Sequence, residues 1–238
     1  MWATKKLAFI SCVLLALPVA AQTKILGVKT TVSSPDIALV QSAQKPSVTG
    51  TSTTLAFTSD VTAGGMLAVA VRTGSATAQT YTVSDTLGNT YTEAFNGAVQ
   101  SDHTVALHYT RSSTGGANTI TITQTSSATI RLIIMEFSGV AATAYADGTP
   151  AVTDSTASTT ATSPSITTSF DNSMILGVFT VVNGNTMTEG SGYTKIDEVD
   201  VKLATEYKLM TTAGATTATM TFASDAWGAG IAGFKREP

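Results

Sequence analysis

"LHYTRSSTGGANTITITQTSSAT", residues 107–129, is answered further along the chain by "TEYKLMTTAGATTATMTFASDAW", residues 205–227. Tyr109 falls on Tyr207, Gly116 on Gly214, Thr119 on Thr217 and Thr121 on Thr219. One residue of gap then brings Phe137 onto Phe234. Upstream, "GMLAVAV" (65–71) answers "SMILGVF" (173–179). A shared order of Tyr, glycine turn, Thr-rich strand and closing Phe is the signature of an internal duplication. The pseudo-repeats cover about residues 55–140 and 165–235, with about six strands in each half.

The strands themselves follow from period two. Apolar residues alternate with polar ones, and clusters of Gly, Asn, Asp and Ser break the pattern at short intervals, as in an all-β sandwich. Residues 199–209 read as one strand, with Val199, Val201, Leu203, Tyr207 and Leu209 on one face. Asp200, Lys202, Glu206 and Lys208 take the solvent face. Val105, Leu107 and Tyr109 repeat this against Thr104, Ala106, His108 and Thr110. The runs 65–72, 131–137 and 174–182 are continuously apolar, as strands covered on both faces would be.

Between the short strands of "YTVSDTLGNTYTEAF" (81–95) lies Asp85–Asn89. An Asp there bonds its own backbone two residues on, and Gly88 supplies a positive φ. A calcium ion would need six or more oxygens, and Asp85 with Asn89 offers too few. The segment reads as a turn. The stretch "DGTPAVTDSTASTTATSPS" (147–165) reads as a flexible connection. Half of the chain alone would be a small β unit with a poor burial ratio. The expectation is therefore one jelly-roll-like antiparallel β-sandwich over residues 36–238.

The N-terminus bounds the compartment. Lys5 and Lys6, the apolar run Leu7–Leu17 and the small residues Val19-Ala20-Ala21 form a secretory signal, with cleavage expected after Ala21. The run is too short for a bilayer span, which takes roughly 20 apolar residues, so stable membrane insertion is not expected. Residues 22–35 read as a leader. Cys12 is the sole cysteine and leaves with the signal, so the mature chain must be held by burial and hydrogen bonds.

Charged residues make up 12% of the chain, against a usual ~25%. Without Lys5 and Lys6, 11 basic residues (13 less 2) face 16 acidic ones. No basic stripe is left for nucleic acid. Hydrophobic residues at 43% supply ample core.

The stretches "VSDTLGNTYTEA", "GGANTITITQ", "MEFSGV" and "AWGAGIAGFK" resemble a β-sandwich module that recurs in secreted bacterial proteins and has no settled activity. The resemblance covers most of residues 55–235. It implies fold and compartment, and it carries no functional residues across.

Catalytic signatures are absent: no Gly-x-Ser-x-Gly elbow, no His-Glu-x-x-His and no phosphate-cradling loop. His108 reads as a solvated surface residue, and Glu136 as a strand end emerging into solvent. Glu206 reads as one of a row of exposed, ion-paired charges. No catalytic residue, metal ligand or cofactor is assigned. Sugar-binding sandwiches stack rings on exposed aromatics, which makes Trp227, Tyr81, Tyr91 and Tyr193 the candidate ligand-binding residues. The expected function is a secreted, non-enzymatic binding or adhesion module with a polysaccharide or surface glycan as partner and room for self-association. A structural subunit of a surface layer, fibre or virion is the second reading, and a carbohydrate-active hydrolase or lyase the third.

Overall fold

Where strands are covered on both sides the alternation of the sequence gives way to solid apolar runs, and the architecture is built on those runs. The computed structural model describes residues 36–100 and 102–238. The expected signal peptide and leader lie outside the described residues. The first half holds β1 (Ala38–Ala56), β2 (Met66–Gly74), β3 (Tyr81–Asp85), β4 (Thr92–Val99), β5 (His103–Arg111) and β6 (Thr119–Ser138). The second holds β7 (Ala151–Thr162), β8 (Ile166–Thr167), β9 (Met174–Val181), β10 (Thr188–Glu189), β11 (Thr194–Val199), β12 (Leu203–Leu209), β13 (Ala215–Thr216) and β14 (Thr219–Phe234). There is no helix among the described residues.

The two halves share one topology. The first sheet runs β1-β6-β2-β5-β4 with β3 on β6; the second runs β7-β14-β9-β12-β11 with β10 on β14. All pairings are antiparallel. Met66 lies opposite Phe137 just as Met174 lies opposite Phe234. The duplication read from the sequence is thus a duplication of structure, and the chain is an all-β sandwich built from two similar halves.

Each closing strand serves two layers. Residues 129–137 of β6 pair with β2, whereas residues 120–124 pair with β3. The β1–β6 register shifts between Gly50 and Ser52, where the ladder turns a corner. In β14 the shift falls between Thr221 and Asp225. The outer layer of each half thereby folds back over its own inner sheet.

Burial follows this layering. Met66, Ala68 and Ala70 of β2 face a central core shared with Met174, Leu176, Val178 and Phe234 of the second half. The intervening Leu67, Val69 and Val71 point the other way, against Ile120 and Ile122 of the first half's outer layer. Ile175, Phe179 and Ile231 meet Met220, Phe222 and Trp227 in the matching position. Each fully buried aliphatic side chain contributes about 1.5–3 kcal/mol, and inner strands collect that on both faces.

Contacts between the halves are reciprocal. β4 lies against β7 and its counterpart β11 lies against β1. Tyr109 meets Phe234 edge-on at 5.1 Å, and Tyr207 meets Phe137 at 5.7 Å. This is the pattern of a two-fold interface. It is not perfectly symmetric: an added Cβ on Gly230 would sit 2.1 Å from Phe95 Cζ. Gly228 and Gly230 are the slot that receives Val99 and Phe95 of β4.

Two expectations need correction. Residues 199–209 are not one strand, because β11 ends at Val199 and β12 begins at Leu203. Asp200 and Val201 take positive φ of 52° and 48° to make the turn, and alternation carries no record of such a turn. Asp200 Oδ2 fastens it to the first half through Arg131 Nε and the Ser47 N–H, each at 2.9 Å. The expected flexible connection 147–165 contains β7, paired along β14. Its Thr and Ser residues suit a half-exposed pleated surface, and polarity alone does not distinguish such a strand from a linker.

Candidate functional site

Tyr81 and Tyr91, two of the four aromatic candidates, come together. They line a cleft of about 330 Å³ with Thr82, Asn89, Glu93 and His108, at the lower end of small-ligand sites. Tyr81 opens β3, and its ring, 7% exposed, is buried in the first half's outer core, so it backs the cleft without the exposed face expected for stacking. Burial pushes its phenol up to about 12. Tyr91 ends the β3–β4 loop, and Glu93 and His108 lie opposite each other on β4 and β5.

The loop is organised by Asp85. Its Oδ1 accepts from the Leu87 and Asn89 N–H groups at 3.1 and 2.9 Å. Its Oδ2 accepts from Asn89 Nδ2 at 2.8 Å, Asn118 Nδ2 at 3.0 Å and the Tyr91 hydroxyl at 3.0 Å. Although burial opposes ionisation, these donors together hold the carboxyl below its usual range. Gly88 has φ of 74°. The turn read from the sequence is therefore what the structure shows, and Asp85 also fixes the Tyr91 ring from behind. Five donors are the wrong polarity for a cation. Among the described residues no group of three or more His, Cys, Asp or Glu side chains is arranged to hold a metal.

His108 is the cleft residue whose surroundings differ from those expected. It is 4% exposed rather than solvated, because β5 is an inner strand covered on both sides. Its ring stands edge-on to Tyr81 with centroids 6.0 Å apart. Its Nε2 is buried and has no hydrogen-bond partner among the described residues. Glu93 Oε2, on a carboxylate that is 44% exposed, lies 3.9 Å away, too far for a direct bond. Burial pushes the imidazolium down to about 4, so His108 is neutral at pH 7. An unsatisfied buried polar atom costs about 1–3 kcal/mol, and here it borders an open cleft.

The second half has the same positions and closes them. Lys195 lies opposite Glu206 just as Glu93 lies opposite His108. Thr82 pairs with Thr123 and Thr188 with Thr221, so Met187 takes the place of Tyr81. Glu206 is fully buried and accepts from the Gly190 and Thr219 N–H groups at 2.9 and 3.2 Å. Burial raises its pKa to about 7, with those two bonds opposing. Lys195 Nζ folds in to donate to Met187 O at 2.8 Å and Glu198 Oε2 at 3.0 Å. The duplication has thus left one half sealed and one half with an open, polar, aromatic-walled cleft.

No protein-family model matches this chain, and no curated protein or solved structure matches it either.

The other sequence candidates go elsewhere. Trp227 is 7% exposed in the second half's outer core, with Nε1 donating to Ser158 Oγ at 2.7 Å. The exposed face that stacking requires is not there, because the strand it belongs to seals a core. Tyr193 is the counterpart of Tyr91; its hydroxyl donates to Thr217 O at 2.9 Å and Lys208 Nζ lies 5.5 Å from its ring centroid. Glu136 does not emerge into solvent. It is fully buried, accepting from Thr62 N–H and Gln41 Nε2 at 2.7 Å each, and so ties the β1–β2 loop down. Glu206 likewise leaves the exposed row expected for it, since β12 is an inner strand.

One arrangement resembles a catalytic relay. Asp102 Oδ1 lies 3.0 Å from His103 Nδ1, and His103 Nε2 lies 2.7 Å from Thr180 Oγ1. Both His103 and Thr180 are fully buried, so no substrate reaches the hydroxyl. Burial, reinforced by Arg72, pushes the imidazolium down to about 4. The relay works as a polar bolt between β5 of one half and β9 of the other.

Proposed function

We propose that the chain is a secreted, non-enzymatic binding and adhesion module that takes a polysaccharide or surface glycan into the Tyr81–Tyr91–His108–Glu93 cleft. The observation that carries this reading is the unpartnered, buried His108 Nε2 on the cleft wall, in a half whose duplicate closes the same positions. Departures from internal consistency of this kind concentrate where function asks for them. The partly exposed Tyr91 ring, with several hydroxyl and amide groups around it, fits a sugar, which presents an apolar face and a polar rim. Export, with the signal removed after Ala21, belongs to the same reading and places the module where glycans are met.

A glycan array probed with the purified mature chain tests it. Retention on a defined class of glycans is expected, and Tyr91→Ala should abolish it in protein that still melts cooperatively, although the loss of its core packing and of its bond to Asp85 lowers Tm. A chain that binds no glycan, or a Tyr91→Ala variant that binds as before, would remove the reading. Weight would then pass to a structural subunit of an extracellular layer or fibre.

A further inference from the structure

Resting on that reading, we propose that the cleft selects neutral sugars over acidic ones, with Glu93 as the acceptor on its rim. The Glu93 carboxylate is 44% exposed, so a ligand hydroxyl reaches it and donates to it. His108 Nε2 lies 3.9 Å behind Glu93 Oε2, closed to solvent and unpartnered, on a ring that is neutral at pH 7 and leaves the carboxylate charge unbalanced. A ligand carboxylate in the same place would meet Glu93 as a like charge.

The charges around the cleft point the same way. Among the described residues no Lys or Arg lines it. Behind the Tyr91 hydroxyl stands Asp85, held ionised by its five donors. The guanidinium whose charge acts on Tyr81, that of Arg72, is 2% exposed and committed to Asp102 and to Val181 O. An acidic sugar would therefore enter a field of two carboxylates without a compensating cation. The second half supports the assignment by contrast, since Lys195 occupies the position of Glu93 there and is spent on its own neighbours. A cleft of about 330 Å³ suits a single ring of a glycan.

The test uses the full mature chain at pH 7 on one array carrying neutral and uronic-acid oligosaccharides. Retention on the neutral class is expected, with uronic-acid oligosaccharides at least about tenfold weaker, which corresponds to about 1.4 kcal/mol. Glu93→Gln keeps an acceptor and removes the charge. It should narrow the neutral-to-acidic gap by a comparable factor while leaving Tm in place, as Glu93 is a half-exposed surface residue. Preference for uronic acids, or an unchanged gap in Glu93→Gln, overturns the selectivity while glycan binding stands. Absence of retention on every class overturns the binding reading itself, and the selectivity with it.

Discussion

The ring of Tyr109 meets the ring of Phe234 edge-on at 5.1 Å, although the two residues belong to different halves of the chain. Tyr207 and Phe137, their counterparts, make the same contact in reverse at 5.7 Å. Edge-to-face pairs of this kind add about 0.5–1.5 kcal/mol beyond the area they bury. The four rings tie the two halves together across the central core.

The Tyr109–Phe234 pair should therefore show energetic coupling. A double-mutant cycle with Tyr109→Leu and Phe234→Leu, read by chemical denaturation, is expected to return about 0.5–1.5 kcal/mol. Additive single effects would mean that the rings only fill space.

Trp227 should behave as a core anchor. Trp227→Ala is expected to cost about 3–5 kcal/mol and to depress Tm strongly. Trp227→Phe should cost less, losing mainly the bond to Ser158. A Trp227→Ala protein that melts like the parent would restore it as a surface residue.

The two glycines of contrasting kind should respond differently. Gly230→Ala places a methyl 2.1 Å from Phe95 Cζ in the packed seam, and overpacking there should cost about 1–3 kcal/mol or more. Gly88→Ala meets open space, so only its φ of 74° opposes the change. About 1 kcal/mol is expected. Thermal melts of both variants decide the order, and a larger loss at Gly88 would contradict the seam as described.

Stability should fall with acid, and the sign follows from the buried groups. His103 and His108 drop from their usual 6.5 to about 4 on folding. Between those values the unfolded chain takes up protons that the folded chain refuses, so stability is lost as pH falls through that window. Glu206 acts in the opposite sense: raised from 4.5 to about 7, it keeps a proton that the unfolded chain releases, and stability is lost as pH rises. Two groups outweigh one, so denaturation midpoints should fall from pH 6.5 to pH 4.5. Glu206→Gln should steepen that fall by removing the opposing group. Midpoints that do not move with pH would refute the buried, neutral state of the histidines.

The halves should also depend on each other. Residues 36–145 alone would expose Met66, Leu107, Ile133 and Phe137 of the central core. Aggregation on expression is the expected result, and a cooperative melt from the soluble fragment would show that each half folds independently.

The amino-acid order by itself was enough for the all-β class, the duplication and the Asp85 turn. Those features rest on local rules: period-two side-chain placement, glycine at positive φ, and a carboxylate bonding its own backbone. The runs 65–72, 131–137 and 174–182 were legible as doubly covered strands because both of their faces are apolar. Tyr81 and Tyr91 were legible as candidates, but His108 and Glu93 were not, and the signal for them lay only in the departure of His108 from its counterpart Glu206. Whether a polar side chain on a strand meets water depends on what covers that face. For His108, Glu136 and Glu206 the covering layer is a distant segment that bends back over the sheet. The turn at Asp200 and the strand at 151–162 were hidden for a related reason, since each is held by residues far away in the chain. Only the tertiary structure could decide which half of the duplication closed on itself and which remained open.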